Sequence, residues 1–118
     1  MKCRISLIMM LLMFVMSEAR VIDVPGKLAV TIQQGIDAAF TGDTVLVAEG
    51  RYFENIDFNG KAITLASHFL LNGSVYYIDN TIIDGSRPLD PKQASVVRFV
   101  SGEDTNSVLT GFTIMRGA

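Results

Sequence analysis

Carboxylates are the side chains of this 118-residue chain best suited to chemistry, and five of the twelve lie in its second half. Asp79, Asp84, Asp90, Glu103 and Asp104 lie in or beside stretches rich in Gly, Ser, Asn and Pro. Carboxylate oxygens brought together from such loops could ligate Ca²⁺, which takes about six to eight oxygen ligands. Asp84, Glu103 and Asp104 are the residues to watch for this, although none of the five stands in a D-x-D-x-D-G loop. Two carboxylates could instead hydrolyse a glycosidic bond, given a separation of roughly 5–9.5 Å across a bound sugar. Sequence spacing does not supply that distance. His68 is the single histidine, which excludes a multi-histidine metal site, and neither Ser67 nor Ser74 sits in a G-x-S-x-G nucleophile elbow. Tyr76-Tyr77 has the aromatic surface to stack on sugar rings. No catalytic residue and no cofactor site is assigned from these residue types.

The elements that must position these groups are mostly strands. Val21-Ile22-Asp23-Val24 alternates apolar and polar residues and is stopped by Pro25-Gly26. Thr31-Ile32-Gln33-Gln34 matches a capping box, and Ile32, Ile36, Ala39 and Phe40 follow at i, i+4, i+7 and i+8, one face of a helix. Gly35 within it costs about 1 kcal/mol relative to alanine, an expense that close backbone packing would justify. Beyond Gly42 the period becomes two. Thr44–Val47, Ile63–Leu65, Thr81–Asp84, Val96–Val100 and Ser107–Ile114 read as strands, with turn residues between them. Ser67–Asn80 and Ser86–Ala94 read as excursions from the body. No helical period follows Phe40, so the strands are expected to wind as a solenoid of parallel strands. Asn59-Gly60 and Asn72-Gly73 are hairpin-type signals; they keep open an antiparallel sandwich or barrel.

Composition bounds the rest. Lys2 and Arg4 precede an apolar run, Leu7–Met16, and Ser17-Glu18-Ala19 offers small residues for cleavage. This pattern predicts a secretory signal peptide over residues 1–19, cut after Ala19. The run is short of the roughly 18 apolar residues a membrane anchor needs. The net charge is −2 for the whole chain, and loss of residues 1–19 makes it more acidic. That balance excludes a nucleic-acid partner, which asks for clustered positive charge, and a polybasic membrane tether. Cys3, the only cysteine, lies within the expected signal, so residues 20–118 must be stabilised without a disulfide.

In order, the segments TIQQGIDAAFTGDTVLVAEGRYFENIDFNGKAITLAS, TIIDG, VVRF, SGED and SVLTGFTI resemble the N-terminal part of bacterial secreted right-handed parallel β-helix proteins of the pectin-lyase-like superfamily. The resemblance covers about Val24 to Gly117. It implies an all-β fold with a short N-terminal capping helix, first turns only, with Ile32, Ile36 and Phe40 covering the end of the coil. It also implies that residues 20–118 are a truncated piece, because the family continues past a GFTI-like strand into further turns. Gly50-Arg51-Tyr52-Phe53-Glu54-Asn55-Ile56 resembles the G-x-Y-x-E-N corner shared with pectin methylesterases. A functional reading of that corner would put Glu54 or Tyr52 at a sugar site; the expected roles are structural: Gly50 takes the turn, Tyr52 packs over the corner and Asn55 hydrogen-bonds the bend. The family's catalytic residues lie on later turns, so none is carried over to this chain.

Three functions follow as expectations. The leading one is a non-catalytic N-terminal part of a secreted or cell-surface β-helix protein, a carbohydrate-associated scaffold. Its partners would be a polysaccharide or cell-surface glycan and further β-helix turns of the same parent chain. The second is the front end of a polysaccharide lyase or pectinesterase-like enzyme, with Ca²⁺ as a cofactor of the full-length parent. The third is a small β-sandwich carbohydrate-binding module. Tyr76 and Tyr77 are the candidate substrate-binding residues in any of them.

Overall fold

Short apolar strands stack one upon another here: the strand at Val21–Val24 buries alternate residues, while those at Thr44–Val47 and Thr64–Ser67 bury their last three. A computed structural model describes residues 18–103 and 105–117. The expected signal peptide falls almost wholly outside the described residues, and so does Asp104. The strands are β1 (Val21–Val24), β2 (Thr44–Val47), β3 (Gly50–Phe53), β4 (Ile56–Asp57), β5 (Thr64–Ser67), β6 (Thr81–Asp84), β7 (Val97–Arg98), β8 (Val108–Thr110) and β9 (Thr113–Met115). The helices are α1 (Ile32–Ala38), α2 (Phe69–Asn72) and α3 (Val75–Asn80).

The strands form three sheets, ordered β1-β2-β5-β8, β3-β6-β9 and β4-β7. Every pairing is parallel. The antiparallel sandwich or barrel is thereby excluded among the described residues. Neither hairpin signal makes a hairpin. Asn59 and Gly60, at φ 54° and 76°, turn the chain from β4 into a strand of a different sheet, and Gly73 closes α2 at φ 70°. From β2 onward, consecutive strands step from sheet to sheet and return to the first one level up.

In-register stacking puts like side chains over like. Ile22, Val45, Leu65 and Leu109 form one column, and Tyr52, Ile83 and Ile114 another. With Ile32, Ile36, Ile56, Phe58 and Ile63 these columns enclose the core, except that Ile114 at the end of the second is 45% exposed. Each fully buried side chain of this size contributes about 1.5–3 kcal/mol, and no disulfide assists them. α1 lies across the lower end of this core, touching β1, β2 and β4. Gly35 faces inward there: a Cβ would come within 2.7 Å of Val45 Cγ1 and 2.9 Å of Val24 Cγ2, so only glycine lets the helix settle so close.

Four expectations are corrected. The segment from Gly50 to Asp57 is not simply a corner, because it contributes β3 and β4 to two further sheets. Ser107–Ile114 is two strands, bent at Gly111 with φ 86°. The excursion over Ser67–Asn80 contains α2 and α3, whose short turns are too brief to display a helical period. Finally, Phe40 does not cover the core. α1 ends at Ala38, Ala39 is extended, and Phe40 is 71% exposed beneath the Arg20 guanidinium, 5.3 Å from its ring centroid.

Candidate functional site

A seven-residue helix is too short to stand alone, and α1 is held by side chains from the segment around β4. Glu54 accepts from the backbone N–H groups of Ile32 (2.9 Å) and Gln33 (3.0 Å), two of the donors that a helix start leaves unpaired. Thr31 and Gln34 complete the capping box read from the sequence. At the other end, Lys61 Nζ donates to the carbonyls of Ile36, Asp37 and Ala39 at 2.8–3.0 Å, where a cation also suits the helix dipole. Between these, the Gln33 amide accepts from Asp57 N–H (2.8 Å) and donates to Asp57 C=O (3.0 Å). It pairs β4 as an extra strand would, on the edge opposite β7. Glu54, the carboxylate most suggestive of a sugar site, is therefore engaged twice over in the cap.

The other acidic candidates are tied in the same way. Asp84 is fully buried. Its Oδ2 accepts from Arg51 Nη2 (2.7 Å) and Nε (3.0 Å), with Arg116 Nη1 at 3.9 Å, and Oδ1 accepts from Ser86 N–H. Burial pushes its pKa up, but Ser86, Arg51 and Arg116 outweigh that and bring it to about 2. Glu103 accepts from the N–H groups of Gly60 (2.9 Å) and Ser101 (2.7 Å), and these backbone donors overcome burial and lower its pKa. Asp90 accepts from Lys92 N–H, and Asp79 is exposed on α3. Asp43, not singled out from sequence, is 3% exposed and accepts from Arg20 and Phe40. Burial would raise its pKa, but those N–H groups and the Arg20 guanidinium lower it. Among the described residues, no group of three or more His, Cys, Asp or Glu is placed to hold a metal ion.

Tyr52 is half-buried and donates to Ala48 C=O at 2.8 Å. Burial, reinforced by the Glu54 charge, raises its pKa, which makes it a poor base. Asn55 Nδ2 donates to Gly85, Ala94 and Ser95 carbonyls at 3.1–3.3 Å. It therefore clasps both ends of the Ser86–Ala94 excursion as well as its own bend. Ser67 is buried, its Oγ accepting from Phe69 N–H, while Ser74 caps α3 by accepting from Tyr76 N–H. His68 meets Tyr77 edge-on at 5.6 Å. No serine–histidine pair is formed by these groups.

Tyr76 and Tyr77 meet edge to face, with centroids 5.3 Å apart and planes at 81°. They do not form one continuous platform. Tyr77 turns back on His68, whereas Tyr76 is 51% exposed and donates its hydroxyl to Glu49 at 2.6 Å. That bond, with the Glu49 charge, raises the Tyr76 pKa. Leu70, Leu71 and Val75 are exposed on the same excursion. Sequence reasoning did not flag a second cluster, on the outer face of β3. There Arg87 lies 3.8 Å from the Phe53 ring centroid and Arg51 5.6 Å from it. The Arg51-x-Phe53 alternation was the available signal, since residues two apart on a strand share a face. Arg87 comes from a loop and had none.

Searches against family models, curated proteins and solved structures found no match to this chain.

Proposed function

We propose that this chain is the capped opening of a right-handed parallel β-helix of the pectin-lyase-like kind, exported through its N-terminal segment, serving as a non-catalytic, carbohydrate-associated scaffold. One observation carries the non-catalytic reading: Glu54, Asp84 and Glu103 all hold the fold together through short hydrogen bonds. A reactive carboxylate needs a free oxygen facing substrate, and these have theirs turned to backbone or arginine. The coil reading is supported by three all-parallel sheets; Gly50 lies beside Thr81, and Ile82 beside Thr113, thirty-one residues on in each case. Right-handedness is the sense that parallel crossovers favour. Among the described residues β8 and β9 each pair on one side only, and their outer edges are where further turns of a parent chain would add. Tyr76, half-exposed on an excursion and steadied by Glu49, is the ring best placed for a sugar.

The reading is tested by incubating the mature chain with polygalacturonate and Ca²⁺ while following ultraviolet absorption of unsaturated product. A glycan array is probed in parallel. The expected outcome is no turnover, with glycan binding that Tyr76→Ala abolishes. Steady turnover that an Asp84→Ala or Glu103→Ala change removes would overturn the scaffold assignment. Export is checked separately, by fusing residues 1–19 to a reporter enzyme and sequencing the N-terminus of the secreted product, expected to begin at Arg20.

A further inference from the structure

The chain enters β1 through Arg20, and the main-chain nitrogen of that residue donates to Asp43 Oδ1 at 2.8 Å. Asp43 is buried. Its other oxygen, Oδ2, accepts from Phe40 N–H at 2.9 Å and from the Arg20 guanidinium at 3.2 and 3.4 Å. Burial opposes the charge on this carboxylate, but these N–H groups and the guanidinium hold it ionised. The two oxygens are thus divided: Oδ2 serves the loop and the arginine side chain, and Oδ1 serves the Arg20 nitrogen.

That nitrogen is placed from the C-terminal side. Thr44 N–H donates to Arg20 C=O at 2.9 Å, opening the ladder between β1 and β2. The guanidinium is anchored on Ala38 C=O at 3.0 Å as well as on Asp43. Glu18 and Ala19, by contrast, are exposed. Loss of everything before Arg20 leaves the bonds that fix its position in place.

Arg20 is also the residue at which the proposed export cleavage falls. Water adds across the Ala19–Arg20 bond: the Ala19 carbonyl gains the oxygen and departs as a carboxylate, and the Arg20 nitrogen takes up the protons as an ammonium. We propose that Asp43 is the receptor for this α-ammonium, so that removal of residues 1–19 creates an ion pair that the uncleaved chain lacks. The inference rests on the cleavage reading above. The uncleaved chain offers Oδ1 a neutral amide; the cleaved one offers it a charged donor, and such bonds are roughly twice as strong. The charged groups around the new terminus are Asp43, the Arg20 guanidinium and, at the same end of α1, Lys61, whose Nζ is occupied by the carbonyls of Ile36, Asp37 and Ala39. The carboxylate is the one anion among them, so the ammonium is favoured over the free amine.

The test compares the mature chain beginning at Arg20, released from a cleavable fusion that leaves no extra residue, with the same chain extended by Ala19. Both carry one terminal ammonium, so net charge is equal. The terminal amines are titrated by limiting acetic anhydride between about pH 6 and 11 and read by mass spectrometry, an ordinary α-amine having a midpoint of about 7.7–8.0. The Arg20 amine should titrate about one pH unit above the Ala19 amine. A pKa raised by folding stabilises below the unfolded value and ceases to do so as pH rises through the folded one. The chain beginning at Arg20 should therefore exceed the extended one by about tenfold in folding equilibrium at neutral pH. In urea unfolding that advantage should vanish at high pH, and it should be absent between Asp43→Asn versions of the two chains. Equal labelling midpoints, or an advantage that persists at high pH, would overturn the proposal without use of the Asp43 variant. Because the first residue is set by design, such a failure is distinct from a wrong cleavage site. N-terminal sequencing of the secreted product reports the latter, and a product beginning elsewhere would overturn both.

Discussion

Asp84 is buried with hydrogen bonds to both of its oxygens, so the fold selects its ionised form. Its pKa near 2 lies below the ordinary 3.8. The unfolded chain therefore takes up this proton first as pH falls. The stabilisation is full above pH 4, is lost between about pH 4 and 2, and is gone below the folded-state value. Asp43 and Glu103 are shifted in the same direction. Urea midpoints measured across this range should fall with pH, and Asp84→Asn should reduce the slope; a slope unchanged in that variant would show that the Arg51–Asp84 pair contributes nothing. Thr81 presents the opposite case. Its Oγ1 is buried without a partner among the described residues, an arrangement that costs about 1–3 kcal/mol. Thr81→Val keeps the shape and removes the orphan, so it should raise stability by about 1 kcal/mol. Neither role was legible in the sequence. TIID reads as a strand, but which arginine reaches Asp84 depends on strand stacking, with Arg51 thirty-three residues earlier.

At the scale of elements, α1 and the strands with apolar alternation were readable because their signals are local. The Thr31 capping box and the faces of Val45, Val47 and Leu65 are each set by residues within one turn or strand. β3 and β4 were hidden because Gly50, Asn55, Asn59 and Gly60 crowd them with turn chemistry. The edge of β4 is sealed by the Gln33 amide, a side chain standing in for a strand. Gln33→Ala should leave the Asp57 N–H and C=O unpaired and cost about 1–3 kcal/mol, with faster hydrogen exchange at the Asp57 amide as the local readout. Gly111 makes the bend between β8 and β9. An added Cβ there would strike Ser67 and come within 3.0 Å of Phe69 Cβ, at a φ of 86°. Gly111→Ala is expected to destabilise by at least about 1–2 kcal/mol from the backbone alone, measured by thermal or urea unfolding; no loss would mean that the bend relaxes freely.

In the whole molecule, short strands are useful only because each rests on the level below. Most of the core columns run through β1, β2, β5 and β8 or through β3, β6 and β9, so the end that α1 covers supports everything above it. That gives the cap its weight in the account, and Glu54 its role. The family resemblance placed Glu54 in a corner without saying what it holds; only the folded chain brings it to the amides of Ile32 and Gln33. A carboxylate kept for chemistry is commonly neutral or unfavourable for stability, and its removal tends to leave the fold as firm or firmer. A carboxylate that caps a helix leaves two donors stranded when it is removed. The deciding measurement is urea unfolding of Glu54→Ala beside the parent chain. A loss of about 1–3 kcal/mol is expected, whereas equal or greater stability in the variant would contradict the capping role and return Glu54 to the candidates for a sugar site.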